Sequence, residues 1–436
     1  MIMVYTHRVT TRLRYVFTHF FETYTDYQVV FTDVLETFIA HNGPKLSYTK
    51  QALGNEFFVQ SHGILFDQGL KDYELQLEMW EGTPIFFPCS ENSAVPFDVF
   101  AATFYMLSRY EEYMPHIKDS MGRFATQNTL LFQSNALDKP VVDIWAKHFL
   151  TRFSDFFPEI VSKQHKVRLQ TILEVPECFA YKSKSLLRSL VESVLDIFSF
   201  RFGSVLDRFR VRFGFREDPF DIYQDWIGWH NEFGLSTQVL FLFSRPGARD
   251  RNISIFKRGF QAKIKQVSDY VPVSLLASFQ SVETEGLLEA ERKRLGRLIH
   301  RPLRLVRQHH IGLRLPDTYK NFTSCGFEKD YSLQFTDCVG YRAGTGFPFY
   351  FYDISIEQRI ALQIHPVAVS ETVLRQQGSS RKARRLLEGL KQFAILYGTP
   401  LTLSTFPTMI DNRKKNRPWR RMFKGFLEDY AEQSKH

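Results

Sequence analysis

Five runs in the second half of the chain, KVRLQTILEV, TQVLFLF, YVPVSLLASF, ALQIHPVAV and TPLTLSTF, carry apolar or β-branched residues at most positions. A strand with one wet face alternates polar and apolar residues, whereas a strand covered on both faces reads as a continuous apolar run. Helical segments stand between the runs, including DPFDIYQDWIGWHNEF and EGLLEAERKRLGRLIH. Parallel neighbours need such crossovers. The pattern therefore predicts an α/β architecture built on a parallel sheet or barrel.

The first half opens the same way. IMVYT reads as a strand, and Leu13, Val16, Phe17 and Phe20 fall at helical spacing behind it. VQSHGILFDQGL, ELQLEMW and TPIFFP read as short strands or turns, and PFDVFAATFYMLSRYEEYMP as one long helix ended by Pro115. Arg109, Tyr110, Glu111, Glu112 and Tyr113 crowd its last turn, either as a polar site at a domain junction or as a salt-bridged helix end. A chain of 436 residues suits two domains. We place them at 1–165, a smaller N-terminal α/β domain, and 166–436.

With 44% apolar and 24% charged residues the composition is that of a globular protein, and most of the 43 Phe are expected to fill cores. The charge of +9 is modest for 56 basic against 47 acidic side chains and does not imply nucleic acid. The densest basic runs, Arg292 to Arg307 and RKKNRPWRR, read as solvated helix faces or loops, with nucleic-acid binding as the alternative for RKKNRPWRR, which combines charge with an indole. Cys89, Cys178, Cys325 and Cys338 fit neither a metal motif nor a disulfide framework, which points to a reducing cytoplasm. The first residues lack a signal peptide's apolar run, and no stretch approaches the roughly 20 apolar residues of a membrane span. Between residues 186 and 215, Leu186, Leu187, Leu190, Val194 and Ile197 precede interleaved arginines at 201, 208, 210 and 212. That segment either packs on the barrel or lies on an anionic membrane surface.

GPKLSYTKQALGNEFF, PFDVFAATFYMLSRYEEYMP and KPVVDIW, together with RQHH, LPDTYKN, DYS, GYRAGTGFPFYFYDI and IHPVAV, resemble the polysaccharide deacetylases of carbohydrate esterase family 4, in a bacterial branch with an extra N-terminal domain. The resemblance spans most of the chain. It implies a distorted, incomplete (β/α) barrel with its site at the C-terminal ends of the strands. It also implies a divalent metal such as zinc that polarises an acetamide, an Asp base, and a His acid.

On that resemblance the Asp-x-Asp motif corresponds to Glu174-Val175-Pro176, so the base position keeps a carboxylate one methylene longer and a ligand position becomes a proline. Glu177 is one step off, and neighbouring strand residues face opposite ways. Leu276 falls where a ligand His is expected, and Ser278 beyond it reads as a strand-end hydroxyl. Thr405 falls where the acid is expected, and it does not titrate near neutrality. Arg342 matches the arginine that orients the base, and His365 is retained in its strand.

The resemblance thus nominates Glu174, Arg342 and His365 for catalytic positions and His309, with His310 beside it, for substrate contact or as a remaining ligand, with no complete metal ligand set. Phe347 and Tyr350, with Phe349 and Tyr352 near them, offer stacking faces for sugar rings or else fill the core. The expected function is that of a catalytically impaired deacetylase-like protein that needs no cofactor and binds a glycan or a protein partner in cell-surface polysaccharide metabolism. The alternative is an active metal-dependent de-N-acetylase using shifted residues.

Overall fold

The computed structural model describes residues 1–433 apart from 167, 183–190, 192, 196, 199, 201 and 248. Four strands, β1 (Ile2–Tyr5), β2 (Val29–Thr32), β3 (Lys45–Thr49) and β4 (Phe57–Gln60), form a parallel sheet in the order β2-β1-β3-β4. The helix Thr11–Tyr24 starts where the Thr10 hydroxyl accepts from the Leu13 amide at 3.1 Å. Its buried face carries Leu13, Val16, Phe17 and Phe20, and Phe17 stacks on Phe100 with ring centroids 3.8 Å apart. A hairpin, β5 (Glu78–Trp80) with β6 (Thr83–Ile85), follows.

The long helix expected to end at Pro115 is two helices, Val99–Leu107 and Tyr110–Tyr113. Arg109 between them has φ of 56°, in the left-handed region. Its buried guanidinium reaches Glu111 at 2.7 Å and Glu112 at 2.8 Å and donates to the Arg342 carbonyl.

The second sheet has nine strands: β7 (Leu169–Val175), β8 (Ser236–Phe241), β9 (Val273–Ala277), β10 (Leu305–Gln308), β11 (Lys329–Asp330), β12 (Phe349–Asp353), β13 (Gln358–Ile364), β14 (Val369–Ser370) and β15 (Leu401–Thr405). Their order is β12-β13-β11-β10-β9-β8-β7-β15-β14, and every pairing is parallel except that of β12 with β13. In a flat sheet β7 and β10 would lie three spacings, about 14 Å, apart. Instead a Glu174 oxygen on β7 lies 2.8 Å from the Arg307 guanidinium on β10, and Gln170 on β7 donates to the Tyr331 hydroxyl just past β11 at 2.8 Å. The sheet is therefore curled around these side chains. It does not close: β12 and β14 end it.

The concave face is layered, because residues two apart on a strand share a side. Ile172, Leu240, Leu276 and Leu305 meet in a buried apolar cluster with Tyr331 and Val367. One step toward the C-terminal ends come Glu174, Arg307 and Ser404, all buried. The convex face packs under helices in one large cluster that also takes in the N-terminal sheet.

The two halves are joined by buried polar contacts as well. Asp143, on the helix Val141–Phe156, accepts from Tyr24 at 2.5 Å, Thr345 at 2.5 Å, Thr399 at 2.8 Å and the Gly346 amide at 3.2 Å. Burial pushes its carboxyl up to about 6 despite those donors. Glu112 bridges Arg109 and Arg342, the latter at 2.6 Å. Among the described residues no helix is long and apolar enough to cross a membrane. Leu186, Leu187, Leu190 and Arg201 of the amphipathic stretch lie outside the described residues.

Candidate functional site

Parallel strands that end together leave their last side chains and following loops around one opening, and ligands of such sheets bind there. Here that opening is a cleft of about 660 Å³ whose lining comes from the ends of β7, β10, β14 and β15 and from loops beyond them. Pro176 and Glu177 follow β7, His309 and His310 follow β10, and Phe406 to Thr408 follow β15.

Glu174 and Arg307 form its floor. The Arg307 guanidinium lies 2.8 Å from a Glu174 oxygen, 2.9 Å from the Gln334 side-chain oxygen and 3.2 Å from the Ser404 hydroxyl, and it also donates to the Tyr331 carbonyl. Ser404 donates to the same Glu174 oxygen. Glu174 is thus an oriented, charge-paired carboxylate. The residue that orients it is Arg307, and not Arg342, which pairs with Glu112 and donates to the Gln334 carbonyl at 3.1 Å.

His309 lines the cleft and is buried, with no hydrogen bond to its ring among the described residues. Burial, helped by neighbouring His310, lowers it to about 4, so it is a neutral imidazole at physiological pH. His310, which has φ of 58°, lies beside it with ring centroids 3.9 Å apart and sits 3.1 Å from the Arg249 carbonyl through its ring nitrogen.

The other nominated residues lie elsewhere. His365 stacks on Tyr331 at 4.5 Å and pairs with Gln363 at 3.0 Å, within the curled sheet below the floor, and burial lowers it to about 3. Phe347 is core, packed on Tyr24 and His165. Tyr350 lines a separate groove beside the helix Thr11–Tyr24, with Arg359 over its ring at 4.7 Å. Aromatic faces in the cleft belong instead to Phe220 and Phe406. Leu276 is fully buried in the apolar layer, and the buried Thr405 hydroxyl donates to the Ile172 carbonyl at 3.3 Å.

The rim is cationic. Arg123, from the N-terminal half, donates to the His310 carbonyl at 3.1 Å and pairs with Asp119. Arg249 covers the Phe279 ring at 4.4 Å, and neither it nor Arg251 has a carboxylate partner among the described residues. Neighbouring Asp250 is committed to the Phe279 and Gln280 amides. Sequence reasoning passed over these arginines because single exposed Arg residues in loops carry no signal until a fold gathers them.

A divalent cation would need three or more converging imidazole or carboxylate donors. Among the described residues no three His, Cys, Asp or Glu side chains converge so. Glu174 faces a guanidinium, Pro176 has no side-chain donor atom, and Leu276 and Thr405 are turned into packing. The donor set of the described residues does not fit such a metal. What the cleft offers is a fixed acceptor at its floor, aromatic faces on its walls and planar cationic donors at its rim.

Residues 2–158 match the model of a family of unknown function, DUF7033. No curated protein matches the sequence. Among solved structures, a Mycobacterium smegmatis protein assigned to the polysaccharide deacetylases is 12% identical, with a TM-score of 0.39 over 62% of this chain and 85% of that one. The allantoinase Puue gives 11% identity and a TM-score of 0.35 over 62% of this chain and 85% of that one. A mutant of BA3943, described as a carbohydrate esterase family 4 pseudoenzyme with restored activity, gives 7% identity and a TM-score of 0.30 over 61% of this chain and 65% of that one.

Proposed function

We propose that this chain is a polysaccharide deacetylase-like protein whose cleft binds a glycan without hydrolysing it through a divalent metal. The observation that carries the reading is the floor of the cleft: Glu174 is held by Arg307 and Ser404, as a base or an acceptor must be, while the described residues supply no converging metal donors. Neither Thr405, whose hydroxyl is spent on a carbonyl, nor His309, neutral well below pH 7, supplies an acid for a leaving amine. A held carboxylate still accepts from sugar hydroxyls or an amide N–H, and Phe220 and Phe406 give ring faces for stacking. Arg249 and Arg251 favour a glycan with carboxylate, sulfate or phosphate groups, since a guanidinium meets such groups with paired hydrogen bonds.

The competing reading, a de-N-acetylase with shifted residues, draws on Glu177 and His309, which line the same cleft. One pair of assays separates the two. Calorimetry with uronate-containing and neutral oligosaccharides is expected to show binding of the acidic series, weakened about tenfold or more in Arg249→Ala/Arg251→Ala. Deacetylation of chito-oligosaccharides is expected to be absent with or without zinc; turnover abolished by chelator would overturn the proposal.

A further inference from the structure

The helix Phe202–Arg212 has one face turned to the protein and one turned away from it. On the inner side Val211 is buried against Ala180 and Tyr181, and buried Arg208 reaches the Ser193 hydroxyl at 2.6 Å and the Tyr181 ring at 5.4 Å. On the outer side Leu206, Phe209 and Phe213 follow at helical spacing and are 51%, 51% and 68% exposed. The Phe209 and Phe213 rings stack only on one another among the described residues, and Phe215, just beyond, is 82% exposed. An apolar stripe of this size on a helix end is a docking surface or a liability.

Charge says which partner it suits. At about 100° per residue, Arg210 falls on one flank of the stripe and Arg212 on the other. Both are exposed, and neither has a carboxylate partner among the described residues. The acidic residue of this helix, Asp207, is occupied by Arg216 at 2.6 Å. Across residues 182–216 eight Lys and Arg stand against three acidic residues. A second copy of this surface would set like charges against each other. An anionic bilayer would take the phenyl rings between its headgroups while both arginines reach the phosphates.

We propose that this helix lies flat on an anionic lipid surface and holds the protein there. The proposal is independent of what the cleft binds. Phe220, which lines the cleft, packs against the same Ala180, Tyr181 and Val211 that seat the helix, so the cleft and the helix share a wall.

The test is cosedimentation of the full chain with phosphatidylcholine vesicles, with and without phosphatidylglycerol, beside sedimentation velocity without lipid. Binding to the anionic vesicles only, reduced about tenfold or more in Phe209→Ser/Phe213→Ser and separately in Arg210→Glu/Arg212→Glu, is the expected result. Circular dichroism confirms that both pair variants fold. Three results would overturn it: no vesicle binding by the folded chain, equal binding to neutral vesicles that the arginine pair does not alter, or self-association without lipid that the phenylalanine pair abolishes.

Discussion

The Glu174 carboxylate on β7 and the Arg307 guanidinium on β10 meet at 2.8 Å although two strands lie between them. The contact closes the curled sheet from within. It places one paired charge between the apolar layer below and the cleft above, and Ser404, Gln334 and the Tyr331 carbonyl take up further hydrogen bonds of the pair. Removing one member of a buried pair leaves the other's desolvation uncompensated, and that cost exceeds what the intact pair contributes.

Arg307→Met is accordingly expected to lower unfolding stability by about 3–5 kcal/mol. Adding Glu174→Gln removes the stranded charge and should recover more than half of the loss. Urea denaturation of the two single variants and the double variant measures this. Additive losses would show that the two groups are not coupled.

The loop GYRAGTGF packs too closely against the N-terminal half to accept a side chain at its start. Gly340 has φ of 135°, and a Cβ there would lie 1.8 Å from the Leu137 carbonyl oxygen. Gly340→Ala should cost more than about 3 kcal/mol or prevent folding. Gly122 also has positive φ, at 78°, but open space around it, so Gly122→Ala should cost only about 1 kcal/mol. Equal melting temperatures for the two variants would contradict the packing described.

The buried His230 predicts a pH dependence. Its Nδ1 donates to the Trp226 carbonyl at 2.7 Å, which leaves Nε2 to accept from Thr171 at 2.6 Å, so both nitrogens are satisfied in the neutral ring. Burial lowers it to about 4 from an ordinary 6.5. The unfolded chain then takes up a proton that the fold refuses. This histidine's stabilisation is complete above pH 6.5 and drains away as pH falls toward 4. Between about pH 7.5 and pH 5.5 the loss is about 1.4 kcal/mol. His230→Gln should flatten the fall in urea stability over that interval by the same amount, and an unchanged slope would contradict the assignment.

What the sequence made legible follows from which residues answer to local rules. The runs rich in apolar and β-branched residues at 169–175, 236–241, 273–277 and 401–405 are mutually parallel strands of one sheet, because a strand covered on both faces has little freedom in composition. The break at Arg109 was not legible, since it depends on Glu111 and on the Arg342 carbonyl far along the chain. Glu174, nominated by the motif resemblance, lies at the cleft on the same side of β7 as Gln170 and Ile172. Glu177 also reached it, against strand alternation, because it lies beyond the last residue of β7 where the rule no longer holds. Arg307 and Arg342 each stand where a matching motif has an arginine. Only the fold tells which one meets Glu174, and spacing along the chain carries no trace of it.

Leu276 bears the final prediction. The family resemblance sets a ligand histidine at this position, so Leu276→His looks on paper like the return of a lost metal ligand. In the fold the side chain is fully buried among Ile172, Leu240, Leu305, Tyr331 and Val367, and it does not line the cleft. An imidazole there would forfeit the packing of a leucine and bury two ring nitrogens among apolar neighbours, at a combined cost of about 3 kcal/mol or more. It would also stand alone, since a lone donor holds no divalent ion against water. The variant should therefore unfold at lower urea concentration than the parent and show no heat of zinc binding by calorimetry. A folded Leu276→His protein that takes up zinc with micromolar affinity would mean that β9 can turn this side chain into the cleft, and the layered interior described for the curled sheet would be wrong.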